Sequence, residues 1–287
     1  MKAVAALLDG IVLGLQYGLL GVGLTLIYGL AGVVNLAHGQ IAIFGAIMAS
    51  LLMGAGWAAV PAAIVGILAA AVVLLILDLT LMRAVYRQHG EHRILLGLLI
   101  MLGVGFIIDG YLNWQHPIEV LTLRIGGDPV PILGVNMRTG SLLASAITIV
   151  AGLALVMFFQ LTTLGRGVRS VIQDEQGARL VGINPSSVRT FVFALSGVLA
   201  GLVAVTGAMT APQASDFGVK LTTLALIVAV VGGLGSVSGA FLAGVLLGIV
   251  DRFASAYIGQ FYTTVILLLC AAFMIVLRPS GLLGKST

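Results

Sequence analysis

The chain has 287 residues, of which 60% are hydrophobic and 8% are charged. A soluble domain carries roughly a quarter charged residues, because a folded chain of this length keeps a large surface in water. The composition therefore excludes a soluble globular protein and predicts a membrane protein. Lys and Arg (14) outnumber Asp and Glu (10). In a membrane protein this excess reflects orientation in the bilayer, and it does not indicate binding of nucleic acid.

Eight apolar runs follow one another along the chain, and about 20 apolar residues suffice for a helix to cross a bilayer. The runs are 3–20, 21–53, 57–82, 94–112, 141–161, 190–209, 221–250 and 257–277. No small-residue cleavage site follows the first run, which is therefore expected to be a retained span. The segments between the runs are too short for a catalytic domain. The predicted fold is an all-α, polytopic membrane helix bundle of about eight membrane-embedded segments, forming one domain over residues 1–287.

Basic residues mark the ends of the runs that stay in the cytoplasm, because they resist translocation. Three groups share this property: Arg83, Arg87 and Arg93; Arg166, Arg169, Arg179 and Arg189; Arg278 and Lys285. All three can be cytoplasmic if an even number of crossings separates the first from the third. The N-terminus is then predicted inside, and segments 113–140 and 211–220 outside. With Lys220 outside and Arg278 inside, run 221–250 either enters and returns, or one neighbouring run does not cross.

Two of the longest runs resemble each other. The stretch LTLIYGLAGVVNLAHGQIAIFGAI, from Leu24, aligns without gaps with LALIVAVVGGLGSVSGAFLAGVLL, from Leu224, with five identities in 24 positions. Each copy contains a polar interruption with glycine, GVVNLAHG in the first and GGLGSVSG in the second. We expect two repeats, about 3–112 and 141–277, each with a broken or re-entrant helix. A parallel arrangement of the repeats is favoured, and an inverted one stays open.

Broken helices at matching positions of two repeats indicate a transport pathway. Unwound backbone at membrane depth occurs only where protein covers it or where it lines a wet cavity. The candidate pathway residues are Asn35, His38, Gly39, Gln40, Ser236, Ser238 and Gly239. For His38, a hydrogen bond to backbone at the helix break is favoured over direct substrate contact. For the three aspartates near the runs, snorkelling towards an interface is favoured over a proton relay. These are Asp9, Asp78 and Asp109.

Signals for catalysis are weak, so no catalytic residues are predicted. No spaced cluster of His, Cys and carboxylate residues indicates a metal site. The C-terminal GLLGKST resembles the end of a phosphate-binding loop, but Pro279 stands where that motif needs glycine, so we expect no nucleotide cofactor on this chain. The GSVSG stretch resembles the serine motif of intramembrane rhomboid proteases, with Ser236 in place of the first glycine. A hydrolase using Ser238, with His38 as base, stays as a minor alternative.

The loop 162–189 is the most informative soluble segment. Within it, VIQDEQGARLVG has the apolar spacing of an amphipathic helix that ends before Gly182 and Pro185. Such a helix on the cytoplasmic face needs a partner groove or the membrane surface. The acidic pair Asp174 and Glu175 favours a protein partner over anionic lipid.

Over nearly its whole length the chain resembles the permease subunits of branched-chain amino acid ATP-binding-cassette (ABC) importers, in particular the LivH-like branch. The stretches that carry the resemblance are YGLAGVVNLAHGQ, GRGVRSVIQDEQGARLVGIN, VVGGLGSVSGAFLAGVLLGIVD and LRPSGLLGK. The resemblance implies a non-enzymatic subunit of the bacterial inner membrane. It also implies three kinds of partner besides the lipid bilayer: two ATPase subunits that hydrolyse ATP, a homologous second permease in a heterodimer, and a periplasmic binding protein.

The resemblance further implies that residues 174–184 form a coupling helix that sits in a groove of the ATPase. The residues expected to couple are Asp174, Glu175, Ala178, Leu180, Gly182 and Ile183. Gln176 and Gly177 stand where the broader importer motif has consecutive alanines. The implied substrates are branched-chain or other hydrophobic amino acids. Importers of urea or short amides use similar permeases, and a stand-alone secondary transporter or channel is the other alternative, although no carboxylate pair for ion coupling is evident.

Overall fold

The fold is described from a computed structural model, which covers residues 2–116, 120–123, 128–132, 135–214 and 216–284. Lys285, one of the basic residues predicted to be cytoplasmic, lies outside these ranges. The helices are α1 (Lys2–Ala31), α2 (His38–Gly54), α3 (Ala59–Leu79), α4 (Leu81–Tyr86), α5 (Gly90–Gln115), α6 (Thr139–Leu161), α7 (Thr163–Gln173), α8 (Glu175–Leu180), α9 (Pro185–Thr210), α10 (Phe217–Gly232), α11 (Val237–Tyr257) and α12 (Gln260–Leu277).

The prediction of an all-α polytopic bundle is confirmed. Within the described ranges, seven helical segments are long and apolar enough to cross a membrane, and α2 and α10 are shorter apolar helices. In the part of the chain that the structure describes, strands are confined to two short antiparallel pairs. Strand β1 (Val120–Leu121) pairs with β4 (Gln213–Ala214), and β2 (Val130–Ile132) pairs with β3 (Val135–Met137).

The first two predicted runs do not correspond to separate segments. Helix α1 continues through Leu20 and Gly21 to Ala31, and the chain first leaves the helix at Gly32, where φ is +67°. Glycine inside a helix is tolerated where it permits close packing. Gly21 does so, because a Cβ at this position would overlap the side chain of Val228.

Antiparallel packing of α3 on α9 defines the cytoplasmic end. A Cβ added at Gly201 would lie 2.9 Å from the Cα of Ile67, and one added at Gly197 would lie 2.5 Å from the Cα of Ala71. Helix α3 therefore ends where α9 begins, and the arginine-rich segments around α4 and α7 lie at this same end. By the positive-inside rule this end is cytoplasmic.

The prediction that the N-terminus is inside is wrong. Helix α1 packs antiparallel to α11: a Cβ at Gly10 would lie 2.8 Å from Ile249, and one at Gly18 would lie 3.0 Å from Phe241. Near the other end of α1, Gly29 faces Ile172 of the cytoplasmic helix α7. Helix α1 thus runs towards the cytoplasm and α2 returns. The error arose because one 30-residue helix was divided into two segments, which changed the number of crossings.

The conflict over run 221–250 is resolved, since the run enters and returns as α10 and α11. The end of α10 lies at the cytoplasmic face, because Gly233 contacts Ser280 just beyond α12. Six membrane-embedded helices (α5, α6, α9, α10, α11 and α12) then lie between Arg93 and Arg278, besides the cytoplasmic helices α7 and α8. This number is even, as the distribution of arginines requires.

Helices α1 and α11 approach closely through glycine. The Cβ positions of Gly244 and Gly248 on α11 fall on the backbone of α1 at Gly18 and Gly14. In lipid, small residues allow backbones to approach closely, and van der Waals contact then holds the helices together. The pair forms the centre of the bundle, with α9 packed against α1 and α10 packed against both α1 and α11.

Candidate transport pathway and coupling site

The first break, residues 32–37, is non-helical backbone that bends at Gly32 and Val33 and turns at Leu36 and Ala37. It follows α5, since a Cβ at Gly97 would contact Val33 and one at Gly105 would lie 3.5 Å from the Cα of Ala37. These glycines are eight residues apart on a helix, or about 12 Å. Helix α2 therefore begins well inside the bilayer. Protein covers the break, because Val33 and Ala37 are buried.

Asn35 shapes the turn into α2. Its Oδ1 accepts a hydrogen bond of 3.0 Å from the backbone N–H of Ala37, and its own carbonyl accepts one of 3.3 Å from the N–H of His38. The side chain is fully buried. Asn35 thus satisfies a backbone donor that the missing helical turn leaves free.

The imidazole of His38 is enclosed between α1 and α9. The side chain is fully buried, and a Cβ added at Gly23 would lie 3.1 Å from both Cε1 and Nε2. Ser196 lies at the same place and donates a hydrogen bond of 2.8 Å to the carbonyl of Gly23. The Leu20 carbonyl is close to the ring, but within the described ranges neither ring nitrogen makes a hydrogen bond of good geometry. In this conformation His38 does not reach a surface where substrate could bind.

Gly39 and Gln40 join the start of α2 to α10. The N–H of Gly39 donates to the Thr222 hydroxyl oxygen at 2.9 Å, and that hydroxyl can donate to Gln40 Oε1 at 2.9 Å or to the Gly218 carbonyl at 3.1 Å. A Cβ at Gly39 would overlap the Gly218 carbonyl. Sequence reasoning missed Thr222, whose only signal is a hydroxyl inside an apolar run.

The second break lies at the cytoplasmic end. Gly233 and Gly235 have φ of +99° and +90°, and Ser236 caps α11 by accepting a hydrogen bond of 3.2 Å from the N–H of Gly239. The C-terminal residues complete this break. Leu282 N–H donates to the Val231 carbonyl at 2.9 Å, which satisfies an acceptor at the end of α10.

The predicted pathway residues therefore occupy two places. Asn35, His38 and Gln40 are buried within the bilayer, whereas Ser238 is exposed near the cytoplasmic face. The described hydrogen bonds do not connect His38 with Ser238; the hydroxyl beside His38 is that of Ser196. This geometry does not support a hydrolytic Ser–His pair.

The loop 162–189 folds into two helices, whereas the sequence analysis predicted one over 171–182 and the resemblance implied one over 174–184. Asp174 separates α7 from α8, because its backbone is extended (φ −156°, ψ 104°) and its Oδ1 accepts a hydrogen bond of 2.9 Å from the N–H of Gln176. Asp is a preferred N-cap, which explains the division. Gly177 replaces alanine next to this cap, where a Cβ would lie 2.5 Å from Asp174 Oδ2. Gly182, with φ +84°, turns the chain towards α9.

Helix α8 presents an apolar tip to the cytoplasm. Leu180 and Val181 are 89% and 75% exposed, while Ala178 is buried and Ile183 is partly buried against the core. Such exposed apolar residues on a short cytoplasmic helix indicate a surface for a protein partner.

Glu175 anchors α8 by its charge. Its Oε1 lies 2.8 Å from Arg179 Nη2 and 3.1 Å from Arg189 Nη1. Partial burial raises the pKa of the carboxyl, but the two arginines lower it by more, so the pKa of Glu175 lies below its ordinary value of 4.5. The carboxylate is therefore ionised at neutral pH.

A buried polar cluster lies directly behind α8, and sequence reasoning missed it. Asp78 accepts hydrogen bonds of 2.6 Å from the Tyr86 hydroxyl and 2.6 Å from the Thr190 hydroxyl. The Arg189 guanidinium lies 4.7 Å from the centre of the Tyr86 ring. The expectation that Asp78 snorkels is wrong, because this residue is 3% exposed and its carboxylate is satisfied by two hydroxyl groups. Asp9 is exposed.

The fold and these sites define a class of protein. Apolar crossing helices, a protein-covered break within the bilayer and a cytoplasmic helix with an exposed apolar tip describe the membrane-spanning subunit of a transporter. A family model described as "Branched-chain amino acid transport system / permease component" matches residues 6–277. The chain belongs to this family, which confirms the resemblance found in the sequence. It is a multi-pass protein of the bacterial inner membrane.

Relatives include the high-affinity branched-chain amino acid transport system permease protein LivH of Escherichia coli (strain K12), 27% identical over 96% of this chain and 94% of LivH. The corresponding protein BraD of Pseudomonas aeruginosa is 26% identical over 97% of this chain and 95% of BraD. The chain is also similar to LivM of Escherichia coli (strain K12), with 27% identity over 93% of this chain and 67% of LivM.

Proposed function

We propose that the chain is a permease subunit of an ATP-driven importer that moves branched-chain or other hydrophobic amino acids, delivered by a periplasmic binding protein. The observation that carries the ATP-driven part is α8. Its tip, Leu180 and Val181, is exposed at the cytoplasmic end, while Glu175 ties its base to α9. An ATPase that binds this tip can displace α8 and, through the ion pair with Arg189, the membrane helix α9. The chain itself acts without a bound cofactor and is not an enzyme; the partner hydrolyses ATP.

The partner in the membrane is a second, homologous permease, and the similarity to both LivH and LivM supports a heterodimer. The outward faces of α5 and α12 are strongly apolar, with Phe106 and Phe261 at 68% and 88% exposure. They suit contact with lipid or with the second permease.

For the pathway we propose alternating access. Asn35, His38, Gly39 and Gln40 lie at the first break; Ser236 and Gly239 stabilise the second break, and Ser238 lies exposed beside it. Because Asn35 and His38 are enclosed in this conformation, they line the pathway only after α2 moves relative to α1 and α10. In the enclosed state they support the backbone, and in the open state they offer polar groups to the substrate.

The test is uptake by proteoliposomes that contain this chain, the second permease, the ATPases and the binding protein. We expect ATP-dependent uptake of labelled leucine, isoleucine or valine, without uptake of urea or acetamide. Liposomes with this chain alone should show no uptake. Uptake by the chain alone would contradict the importer and favour a secondary transporter or channel, and uptake of urea in place of amino acids would contradict the substrate class.

A further inference from the structure

The buried cluster behind α8 joins three helices, α3, α4 and α9, through hydrogen bonds and a cation–π contact between polar side chains. Asp78 lies in the last turn of α3, Tyr86 is the last residue of α4, and Arg189 and Thr190 lie in the first turns of α9. A carboxylate near the C-terminal end of a helix is disfavoured by the helix dipole, and burial adds a desolvation cost. Asp78 is nevertheless 3% exposed. Such a group is stable only while its partners stay in place.

Both oxygens of the carboxylate have a hydrogen-bond partner. Its Oδ1 and Oδ2 accept one hydrogen bond each, from Tyr86 and from Thr190, both of 2.6 Å. The Tyr86 ring in turn lies under two cations, Arg189 at 4.7 Å and Arg93 at 5.6 Å from the ring centre. The cluster is therefore a network in which displacement of one member leaves a buried charge or ring without its partner.

The network ends on α8. Arg189, which is 8% exposed, places Nη1 3.1 Å from Glu175 Oε1. Helix α8 has six residues, of which Ala178 is the buried one. The ion pair with Arg189 is thus a main point at which a force on α8 enters the membrane domain. By contrast, Arg179 pairs with the same carboxylate but belongs to α8 itself and transmits nothing to α9.

The other end of the network reaches the first break. Helix α3 contacts α2 through glycines, since a Cβ at Gly45 would lie 2.6 Å from the Gly66 carbonyl and one at Gly66 would lie 2.8 Å from the Cβ of Ala49. Close-packed helices transmit displacement because their contact leaves no space to absorb it. Movement of α3 therefore moves α2, whose first residue is His38.

We propose that Asp78, Tyr86, Arg189 and Thr190 form a polar linkage that transmits movement of α8 to the cytoplasmic ends of α3 and α9, and so determines how tightly ATP hydrolysis is coupled to transport. These are positioning residues, since they act through α8 and α2. The linkage rests on the proposed function as an ATP-driven permease. It goes beyond that function because it names the side chains inside the membrane domain that receive the force.

Substitutions at Thr190 provide the sharpest test. Thr190→Val removes one hydrogen bond to Asp78 at nearly constant shape, and Thr190→Ser keeps the hydroxyl. Thr80→Val is the matched control, because the Thr80 hydroxyl is exposed and donates only to the Ile76 carbonyl of its own helix, at 2.6 Å. Tyr86→Phe provides a second variant that keeps the ring for the two arginines and removes only the hydroxyl bond to Asp78.

The experiment measures uptake and ATP hydrolysis by the complete reconstituted complex, at equal amounts of assembled protein. A physical coupling of typical strength is worth about 5-fold to 150-fold. We expect the number of substrate molecules moved per ATP to fall about 5-fold or more in Thr190→Val and in Tyr86→Phe. Thr190→Ser and Thr80→Val should retain the wild-type ratio.

A merely structural cluster predicts a different result. Thr190→Val and Tyr86→Phe would then lower thermal stability or the amount of complex but leave the ratio of uptake to hydrolysis unchanged, and this outcome overturns the linkage. If the wild-type complex itself shows no ATP-dependent uptake, the proposed function fails, and the linkage fails with it. Normal wild-type uptake with unchanged ratios in both variants overturns the linkage alone.

Discussion

Gly39→Ala tests whether the start of α2 is held by its contact with α10. Gly39 has no room for a side chain, because a Cβ would fall on the Gly218 carbonyl and the backbone of Thr222. The substitution must push α2 away from α10 and break the bond of 2.9 Å between the Gly39 N–H and the Thr222 hydroxyl. Overpacking costs about 1–3 kcal/mol, and a lost buried hydrogen bond adds about 1–2 kcal/mol. The sum is about 2–5 kcal/mol.

The matched control is Gly54→Ala at the other end of the same helix. A Cβ at Gly54 has no neighbour within 4 Å. Replacing glycine by alanine in a helix stabilises it by about 0.5–1 kcal/mol, because the unfolded chain loses freedom. The two variants therefore differ in sign as well as in size, although the chemical change is the same.

The assay heats the purified protein in detergent to a series of temperatures. Fluorescence-detected size-exclusion chromatography then measures how much folded protein remains at each temperature, which gives the melting temperature. We expect the melting temperature of Gly39→Ala to fall by about 5–15 °C, and that of Gly54→Ala to stay level or rise slightly. Gly39→Ala should also reduce uptake by the reconstituted complex, since the first break loses its support. Equal melting temperatures for Gly39→Ala and wild type would refute the close contact between α2 and α10.

Three further predictions concern the second break and the coupling loop. Gly281→Ala should destabilise the protein by about 2–4 kcal/mol, because Gly281 has φ +80° and an added Cβ would overlap the backbone of Gly233. Gly182 has a similar φ of +84°, but an added Cβ would have free space. Gly182→Ala should therefore destabilise the protein by only about 1–2 kcal/mol in the same melting assay. Leu180→Asp should leave the permease folded but abolish its co-purification with the ATPase, since a charge at the exposed tip opposes docking, and undiminished co-purification would contradict the assignment of α8. The folded-state pKa of Glu175 is lowered, so the stabilising ion pairs are complete above the ordinary pKa and are lost as pH falls through the lower value. The contribution of Glu175 to uptake per ATP should consequently not change with pH between about 5.5 and 8, because its carboxylate stays ionised there. A decline of uptake per ATP in this range that is absent in Glu175→Gln would contradict the ion pairs.

The opposite burial of the two breaks affects how the proposed transport cycle is understood. The first break is enclosed by α1, α5, α9 and α10, whereas the second lies at the cytoplasmic face and is closed by residues 278–284. Only the first lies within the bilayer, where it can separate the two sides of the membrane. The second lies at the cytoplasmic face.

Much of the fold follows directly from the sequence. Apolar runs of crossing length predict a helical membrane protein, and glycine with polar residues predicts breaks near Gly32 and Gly233. Both breaks are present, and the backbone leaves the helix at these glycines with positive φ, a conformation that glycine adopts without steric cost. The N-cap preference of Asp174 was equally readable, although the apolar spacing around it was interpreted as one helix.

Sidedness depended on a detail that local pattern does not contain. The region from residue 3 to residue 31 is mostly apolar, with Asp9 and Gln16 as exceptions, and several glycines divide it equally well. Packing against α11 favours one continuous helix here. Gly244 of α11 fits against Gly18, and Gly248 fits against Gly14, and this contact needs regular helical backbone in both α1 and α11. A contact between residues more than 200 positions apart thus determined the number of crossings.

The repeat of about 3–112 and 141–277 remains a prediction, as do the roles of the pathway residues. Composition and the order of apolar and basic residues were enough to predict membrane residence, the helical class and the cytoplasmic arginine-rich end. Motifs spread over the chain were enough to indicate the family. Only tertiary structure decided which polar groups are enclosed. In the sequence, Asp78 resembles any aspartate near a membrane interface. In the structure, the hydroxyl groups of Tyr86 and Thr190 donate hydrogen bonds to its carboxylate. The physical reason is that burial of a charge depends on partners from other helices, and these are brought together by packing and not by neighbouring positions in the chain.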